Sequence, residues 1–173
     1  MRNKISTLLV VFCLCLFLTR PVPAHAYALS KGEVVMEVMS GRVLHEKNPD
    51  EKLPMASTTK IVTAITVIEN CDINNEIIVP ESCTGVEGSS VYLKAGERYK
   101  IIDLLYGLML RSGNDAAETL AVCVGGSMEG FVKLMNETAK KAGAFNSAFK
   151  NPHGLPDKGH YTTASDLAKI SCY

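Results

Sequence analysis

Apolar residues form the first strong pattern of the chain, a run from Leu8 to Leu18 that follows the basic residues Arg2 and Lys4. Ala24-His25-Ala26 comes next and has the small-x-small form of a signal-peptide cleavage site. The run of about 11 residues is far shorter than the roughly 20 that a membrane-spanning helix needs. The pattern therefore predicts a signal peptide over residues 1–26, with a cut after Ala28 as the alternative, and an exported domain over residues 27–173.

Short apolar segments predict strands in two places. Glu33 to Met39 is rich in Val and Met, Ser40-Gly41 supplies a turn, and Arg42 to Lys47 alternates, so a β-hairpin is expected over these residues. Ile77 to Val79 predicts one further short strand. Glu81 to Lys100 is rich in Gly, Ser and polar residues without a helical period, and we expect it to be irregular.

A helical period predicts most of the remaining chain. Ser57 to Glu69 is apolar around most of its circumference, which is typical of a central, buried helix. Ile101 to Leu110 and Asp115 to Val124 predict two helices separated by Ser112-Gly113-Asn114. A Thr163 capping box predicts a last helix. Before this last helix, a further amphipathic helix that ends at Gly143 is predicted by the spacing of Phe131, Leu134, Met135, Thr138 and Ala142.

Composition places the chain among ordinary globular proteins, with 47% hydrophobic residues, no Trp and a formal net charge of zero. Removal of residues 1–26 would take away the positive charges of Arg2, Lys4 and Arg20 and leave a slightly acidic chain. This charge balance argues against a nucleic-acid partner.

Four cysteines lie outside the predicted signal peptide: Cys71, Cys83, Cys123 and Cys172. An exported setting permits disulfides, and four cysteines allow three pairings. No C-x-x-C pair or Cys/His cluster has zinc spacing, and Cys123 lies in an apolar helical run, so buried free thiols are an equal alternative. His153 and His160 lack a third ligand at suitable spacing; we expect them to fix a loop, and we expect no metal site.

A candidate nucleophile lies at the start of the predicted central helix, in Ser57-Thr58-Thr59-Lys60. Residues three apart share one face of a helix, so Lys60 can approach the Ser57 hydroxyl and accept its proton. Burial would lower the pKa of this lysine, and the Ser57 backbone N–H would stabilise an oxyanion. The motif alone is weak, because Ser147-Ala148-Phe149-Lys150 has the same form and Ser57 could simply cap its helix.

A second motif, Ser112-Gly113-Asn114, lies between two predicted helices and could present a hydroxyl and an amide to the first. Taken by itself it is also an ordinary helix-to-helix turn. Together, Ser57-x-x-Lys60 and Ser112-x-Asn114 resemble two of the three motifs that penicillin-binding proteins and serine β-lactamases share.

The surrounding sequence narrows the resemblance to low-molecular-mass D-alanyl-D-alanine carboxypeptidases. It covers nearly all of residues 31–170 and includes Asn48 to Lys60, Gly85 to Leu93, Asp103 to Gly107, Ser112 to Ala117 and Asn151 to Leu155. The stretch from Gly85 to Leu93 favours these carboxypeptidases over β-lactamases. The resemblance implies an α/β fold of the β-lactamase/transpeptidase type, with an antiparallel sheet flanked by helices and an all-helical lobe.

The resemblance also implies a substrate and the roles of four residues. Ser57 would attack the penultimate D-alanine carbonyl of a peptidoglycan stem pentapeptide, and Lys60 would accept its proton. Ser112 would relay a proton to the leaving amine, and Asn114 would hydrogen-bond the substrate amide. β-Lactams would acylate Ser57 as mimics, and no cofactor or metal is expected.

The third family motif, Lys-Thr-Gly, does not occur in the 173 residues. In the family its strand supplies a cation for the substrate carboxylate and an oxyanion donor. We therefore expect the front part of a longer protein or a truncated reading frame, with an incomplete sheet and weak or no activity; a tail that binds the membrane surface could follow. The alternatives are a catalytically impaired penicillin-binding or cell-wall-binding protein and a serine β-lactamase relative.

Overall fold

The computed structural model describes residues 30–173, and the predicted hairpin is its first element. Strands β1 (Glu33–Met36) and β2 (Val43–Lys47) pair in antiparallel fashion. β1 ends before the predicted limit at Met39, because the Glu37 carboxylate accepts the backbone N–H groups of Met39 and Ser40 and forms a turn. The predicted signal peptide, residues 1–26, lies outside the described residues.

Helix α1 (Thr59–Asn70) is the centre of the fold, as its apolar sequence predicts. It contacts all four of the other helices in residues 30–173. Val67 is fully buried, whereas Ile68 is 56% exposed, so neighbouring elements cover the helix less completely than its sequence predicts. A 3₁₀ turn (Ala56–Thr58) precedes α1, and Ser57 therefore lies just before the helix and not within it.

The other helices follow the predicted order: α2 (Ile101–Arg111), α3 (Asn114–Gly125), α4 (Met128–Lys141) and α5 (Ala164–Cys172). Ser112 ends α2 in a left-handed conformation with a φ of 56°, which turns the chain sharply into α3. Thr163 caps α5 as predicted, because its hydroxyl accepts the N–H of Asp166 at 3.0 Å.

A second two-stranded antiparallel sheet joins β3 (Glu76–Ile78) to β4 (Arg98–Lys100). β3 lies within one residue of its predicted position. The prediction of an irregular segment over Glu81 to Lys100 is wrong at β4, because a strand of three residues is too short to show a period in the sequence. The segment also contains a 3₁₀ turn, Glu81–Cys83.

The hydrophobic core lies between the helices, and its largest fully buried side chains include Leu104, Leu108, Leu120, Phe131, Met135 and Phe149. The four cysteines of residues 30–173 carry free thiols. Cys83 is 1% exposed, but the expected burial is wrong for Cys123, which is exposed. The core-facing residues of α3 are Ala116, Ala117, Leu120 and Ala121, with Val124 partly buried, and Cys123 lies beside them at the surface.

The segment over residues 148–163 returns to the start of α1 and completes the surroundings of Ser57. An isolated β-bridge from Leu53 to Thr162 holds it there, and a second bridge, from Ala148 to Tyr161, joins the two arms of the segment. Between Ala148 and Tyr161 the chain forms a loop over residues 150–160. None of the helices in residues 30–173 is both long enough and apolar enough to span a bilayer.

Candidate active site

The 3₁₀ turn before α1 presents Ser57 to a cleft of about 440 Å³. Ala56, the preceding residue, has a φ of 47°, a left-handed conformation that costs a residue other than glycine about 1–3 kcal/mol. Thr58 closes the turn, because its N–H and its hydroxyl both donate to the carbonyl oxygen of Met55, at 3.2 and 2.6 Å. The turn thus holds an exposed serine in a strained backbone that its neighbours stabilise.

Lys60 lies behind Ser57 and is 2% exposed. Its Nζ is 3.3 Å from Ser57 Oγ, 2.7 Å from Asn114 Oδ1 and 2.9 Å from the carbonyl oxygen of His153. These three acceptors match the three donors of an ammonium group, and none of them is a carboxylate. The predicted approach of Lys60 to the Ser57 hydroxyl is therefore present in the structure.

Burial lowers the pKa of Lys60 from 10.5 to about 8, because the charged form loses its hydration inside the protein. A larger fraction of this amine is therefore neutral near neutral pH than for an exposed lysine. A neutral amine in contact with the Ser57 hydroxyl can accept its proton, and so the arrangement permits activation of the serine as a nucleophile.

Asn114 is the first residue of α3 and joins the second sequence motif to the first. Its side-chain Nδ2 donates to the carbonyl oxygen of Glu87 at 2.6 Å, and its backbone N–H donates to that of Ser89 at 2.7 Å. These bonds orient the amide so that Oδ1 accepts from Lys60. Asn114 also lines the cleft, and its predicted contact with a substrate amide stays a prediction.

Ser112 is placed differently from the other three predicted site residues. Its Oγ is buried and has no hydrogen-bond partner within residues 30–173. The structure therefore brings Ser57, Lys60 and Asn114 together, whereas the Ser112 hydroxyl is not hydrogen-bonded to any of them. The role of Ser112 as a proton relay stays a prediction.

Asp115 is a residue of the site that the sequence analysis missed. Its carboxylate is 1% exposed and accepts hydrogen bonds from Ser90 Oγ and from the backbone N–H groups of Val91 and Leu93, at 2.6, 3.1 and 3.0 Å. Burial by itself raises the pKa of Asp115, but these hydrogen bonds outweigh burial and hold the pKa below its usual value. Asp115 thereby fixes the segment next to Gly88 and Ser89, which line the cleft.

Two buried histidines fix the loop over residues 150–160, as the sequence analysis expects. The backbone N–H of Lys150 donates to His160 Nδ1 at 3.0 Å, so the ring proton lies on Nε2, which is 2.9 Å from Thr59 Oγ1. The N–H of Leu155 donates in the same way to His153 Nδ1 at 3.1 Å. Burial, with the nearby charges of Lys60 and His160, lowers the pKa of His153 to about 4, so its ring is neutral at neutral pH.

Gly154 brings this loop into direct contact with the 3₁₀ turn that carries Ser57. Its φ is 93°, and a Cβ atom added to it would lie 1.9 Å from the carbonyl oxygen of Ala56. Only glycine permits this approach without displacement of one of the two backbones. The loop and the turn therefore form one packed unit around the cleft.

The second Ser-x-x-Lys sequence has a different environment. Ser147 Oγ is 2.8 Å from both Thr162 Oγ1 and Asp166 Oδ2, within a loop, and Lys150 is exposed. Among residues 30–173, no group of three or more His, Cys, Asp or Glu side chains is placed to hold a metal ion.

Comparison with known proteins gives consistent matches. A family model described as D-alanyl-D-alanine carboxypeptidase matches residues 21–173. The D-alanyl-D-alanine carboxypeptidase DacF of Bacillus subtilis is 39% identical over 144 residues, which cover 80% of this chain and 37% of that protein. The solved structure of the D-alanyl-D-alanine carboxypeptidase DacD of Francisella tularensis is 37% identical with a TM-score of 0.80, covering 87% of this chain and 38% of that one.

A penicillin-binding protein supports the same fold. Penicillin binding protein 5 of Haemophilus influenzae is 31% identical with a TM-score of 0.78, over 83% of this chain and 44% of that one. These matches confirm the expected transpeptidase-like α/β fold, and the chain spans less than half the length of the relatives named here. With the family model matched over residues 21–173, the chain belongs to the D-alanyl-D-alanine carboxypeptidase family.

Proposed function

We propose that this chain carries the acylation site of a serine D-alanyl-D-alanine carboxypeptidase, with Ser57 as the nucleophile. The observation that supports this most is the contact between Ser57 Oγ and Lys60 Nζ, 3.3 Å apart at a cleft of about 440 Å³. A buried lysine with a pKa of about 8 is suited to accept a serine proton, and the relatives supply the substrate class by their names.

The proposed reaction begins with transfer of the Ser57 proton to neutral Lys60. The serine oxygen then attacks the carbonyl carbon of the penultimate D-alanine of a peptidoglycan stem peptide, and the Ser57 backbone N–H donates to the resulting oxyanion. Collapse breaks the peptide bond, and the departing D-alanine amine takes the proton that Lys60 had accepted, relayed by the Ser112 hydroxyl. Water then hydrolyses the acyl ester and restores the serine.

Other parts of the proposal concern the substrate and the location. Asn114 would donate from Nδ2 to the substrate, because the amide carries two N–H donors and Glu87 takes one of them. β-Lactams would acylate Ser57 because their strained amide resembles the scissile bond. Export through residues 1–26 would place the enzyme outside the cytoplasm, where peptidoglycan lies.

A second candidate function is covalent capture of β-lactams without release of D-alanine, as in a penicillin sensor. One observation favours it: the Ser112 hydroxyl makes no hydrogen bond within residues 30–173, so a proton relay to the leaving amine is not assembled. The nitrogen of a β-lactam also takes a proton when the ring opens, but relief of ring strain helps to drive that acylation and the amine stays attached to the acyl group.

The test compares the chain with Ser57→Ala and with Ser147→Ala, the matched serine of the second Ser-x-x-Lys sequence. A fluorescent penicillin reports acylation, and D-alanine release from diacetyl-Lys-D-Ala-D-Ala reports turnover. We expect Ser57→Ala to lose both by at least about 10³-fold and Ser147→Ala to keep both. Labelling without D-alanine release would support the penicillin sensor, and β-lactam hydrolysis would support a β-lactamase. Equal labelling of Ser57→Ala would remove Ser57 from the mechanism.

A further inference from the structure

Glu118 is an acidic residue on the helix face that already meets Lys60. It lies four residues after Asn114 in α3, and residues four apart are neighbours on a helix surface. Its side chain is 21% exposed, and burial raises its pKa above the usual value. A carboxyl group in such a place calls for a partner, since burial of an uncompensated charge is costly.

The partner of Glu118 is His153. Glu118 Oε1 lies 3.4 Å from His153 Nε2, and the His153 side chain is 10% exposed. Because the Leu155 N–H occupies Nδ1, the ring proton lies on Nε2 and faces the carboxyl group. With its pKa at about 4, His153 is neutral at neutral pH, so the 3.4 Å contact is a polar contact between a neutral imidazole and a carboxyl group and not an ion pair.

His153 connects this contact to the nucleophile. Its carbonyl oxygen accepts from Lys60 Nζ at 2.9 Å, and Lys60 Nζ is 3.3 Å from Ser57 Oγ. The imidazole thus accepts a hydrogen bond at Nδ1 within its own loop and contacts α3 at Nε2, while the carbonyl oxygen of His153 accepts from the lysine. A ring with a neighbour at each nitrogen has little room to turn, which restricts the backbone of its own residue, and that backbone carries the acceptor.

We propose that Glu118 is a positioning residue for the general base: its carboxyl group holds the His153 ring and thereby fixes the carbonyl oxygen that receives a hydrogen bond from Lys60. Helix α3 then supplies two acceptors for the lysine, one directly through Asn114 Oδ1 and one indirectly through Glu118 and His153. The proposal rests on the proposed function, in which Lys60 is the base.

A purely structural role for Glu118 would leave a different trace. Loss of packing alone would lower stability and leave the ionisation of Lys60 unchanged. Loss of positioning would free the loop, admit water to Lys60 and weaken the burial that lowers its pKa. The titratable groups next to His153 are Glu118, through its 3.4 Å contact, and Lys60 and His160, whose charges lower the pKa of His153, so a change at Glu118 can be followed separately from the other two.

The experiment uses three substitutions. Glu118→Gln keeps an acceptor oxygen and removes the charge, whereas Glu118→Ala and Glu118→Leu remove both, with Leu filling the space so that the comparison does not depend on the Ala variant folding. The pKa of Lys60 is read from the Cε–Hε signals of lysine-labelled protein, assigned with Lys60→Arg. Thermal unfolding checks that each variant is folded, and fluorescent penicillin measures acylation at pH 7.

We expect Glu118→Gln to keep the Lys60 pKa near 8 and Glu118→Ala and Glu118→Leu to raise it by about 1 or more, toward 10.5. Acylation should fall about 10- to 100-fold in the latter two and stay within about threefold in Glu118→Gln. The same Lys60 pKa in all variants overturns the proposal, and so does a Gln variant that matches Ala and Leu. The lysine signals decide this even if Ser57 proves not to be acylated.

Discussion

Lys60 combines two properties that oppose each other in most proteins, deep burial and a chemistry that depends on charge. At 2% exposure it is bonded to oxygens of Ser57, Asn114 and His153, and none of these bonds brings a negative charge. The dipoles of this hydroxyl, this amide and this carbonyl group hold the Lys60 ammonium group in place, but burial still lowers the pKa of Lys60 to about 8. The residue can therefore exist in either protonation state close to physiological pH, as a base must.

The pH dependence of acylation follows from this pKa. Only the neutral amine accepts the serine proton, so we expect the acylation rate to rise about tenfold per pH unit below about 8 and to level off above it. Fluorescent penicillin labelling between pH 5.5 and 9.5 measures the profile. Lys60→Arg, which stays charged over this range, is the control and should show no rise. A flat profile for the unsubstituted chain would exclude Lys60 as the titrating base.

At the residue scale, the sequence predicts the contacts that are local and misses those that are not. Ser57 and Lys60 are three positions apart, in the 3₁₀ turn and at the start of α1, so their proximity follows from local helical geometry. The acceptors on Asn114 and His153 lie 54 and 93 positions from Lys60, and only the packed fold brings them there. The sequence offers one indication that Glu118 lies near the site, its spacing of four from Asn114, but nothing in the neighbouring sequence indicates the contact with His153.

At the scale of elements, the loop over residues 150–160 and the 3₁₀ turn Ala56–Thr58 share one backbone contact. Gly154 packs against the carbonyl oxygen of Ala56, and a hydrogen bond from His160 to Thr59, the first residue of α1, holds the loop next to the turn. Ala56 keeps its left-handed conformation in this setting, with a φ of 47°. The geometry of the turn that carries Ser57 thus depends on a segment distant in sequence.

Gly154→Ala should damage both stability and acylation. The new Cβ would lie 1.9 Å from the Ala56 carbonyl oxygen, so one backbone must move. Gly143→Ala is the matched control, because Gly143 also has a positive φ, of 77°, but nothing lies within 4 Å of its Cβ position. We expect Gly143→Ala to cost about 1 kcal/mol in urea unfolding and keep its labelling, and Gly154→Ala to cost at least about 2 kcal/mol more and lose labelling. Equal effects of the two changes would show that the contact with Ala56 is unimportant.

The elements themselves are mostly predictable because each has a local signature. The hairpin shows alternation, α1 shows continuous apolar character, and Thr163 marks the start of α5 with its cap. β4 is not predicted, because its three residues pair only with β3 and the local sequence does not indicate this pairing. Cys123 is placed wrongly because an apolar run alone does not reveal which side of α3 faces the core.

At the scale of the molecule, contacts are distributed unevenly. α1 touches every other helix of residues 30–173, whereas the hairpin packs mainly through β1 against α5. All five residues of β2 are exposed, including the apolar Val43 and Leu44. Stability in such a fold is expected to be highest around α1 and lowest at the hairpin, because local opening is cheapest where few apolar contacts are lost.

Native-state hydrogen exchange tests this gradient in the 173-residue chain. We expect backbone amides of β1 and β2 to exchange at least about 100-fold faster, relative to their intrinsic rates, than those of Val62 to Val67 in α1. The amides of β3 and β4, which also form a two-stranded sheet, control for sheet size. Protection of the hairpin equal to that of α1 would contradict the gradient.

The hydrogen bonds around the nucleophile also fix a place in the order of folding. Thr59 bonds to His160 across 101 positions, and Lys60 bonds to His153 across 93. Closing loops of this length costs on the order of 4 kcal/mol in chain entropy, which the contacts formed must offset. A polypeptide that emerges from its amino end cannot complete the surroundings of Thr59 and Lys60 until residue 160 has emerged, even though Ser57 and α1 emerge much earlier. Labelling by a β-lactam would therefore report a completed tertiary structure. A short exposure to a labelled β-lactam at successive times after synthesis begins would measure when that structure is complete.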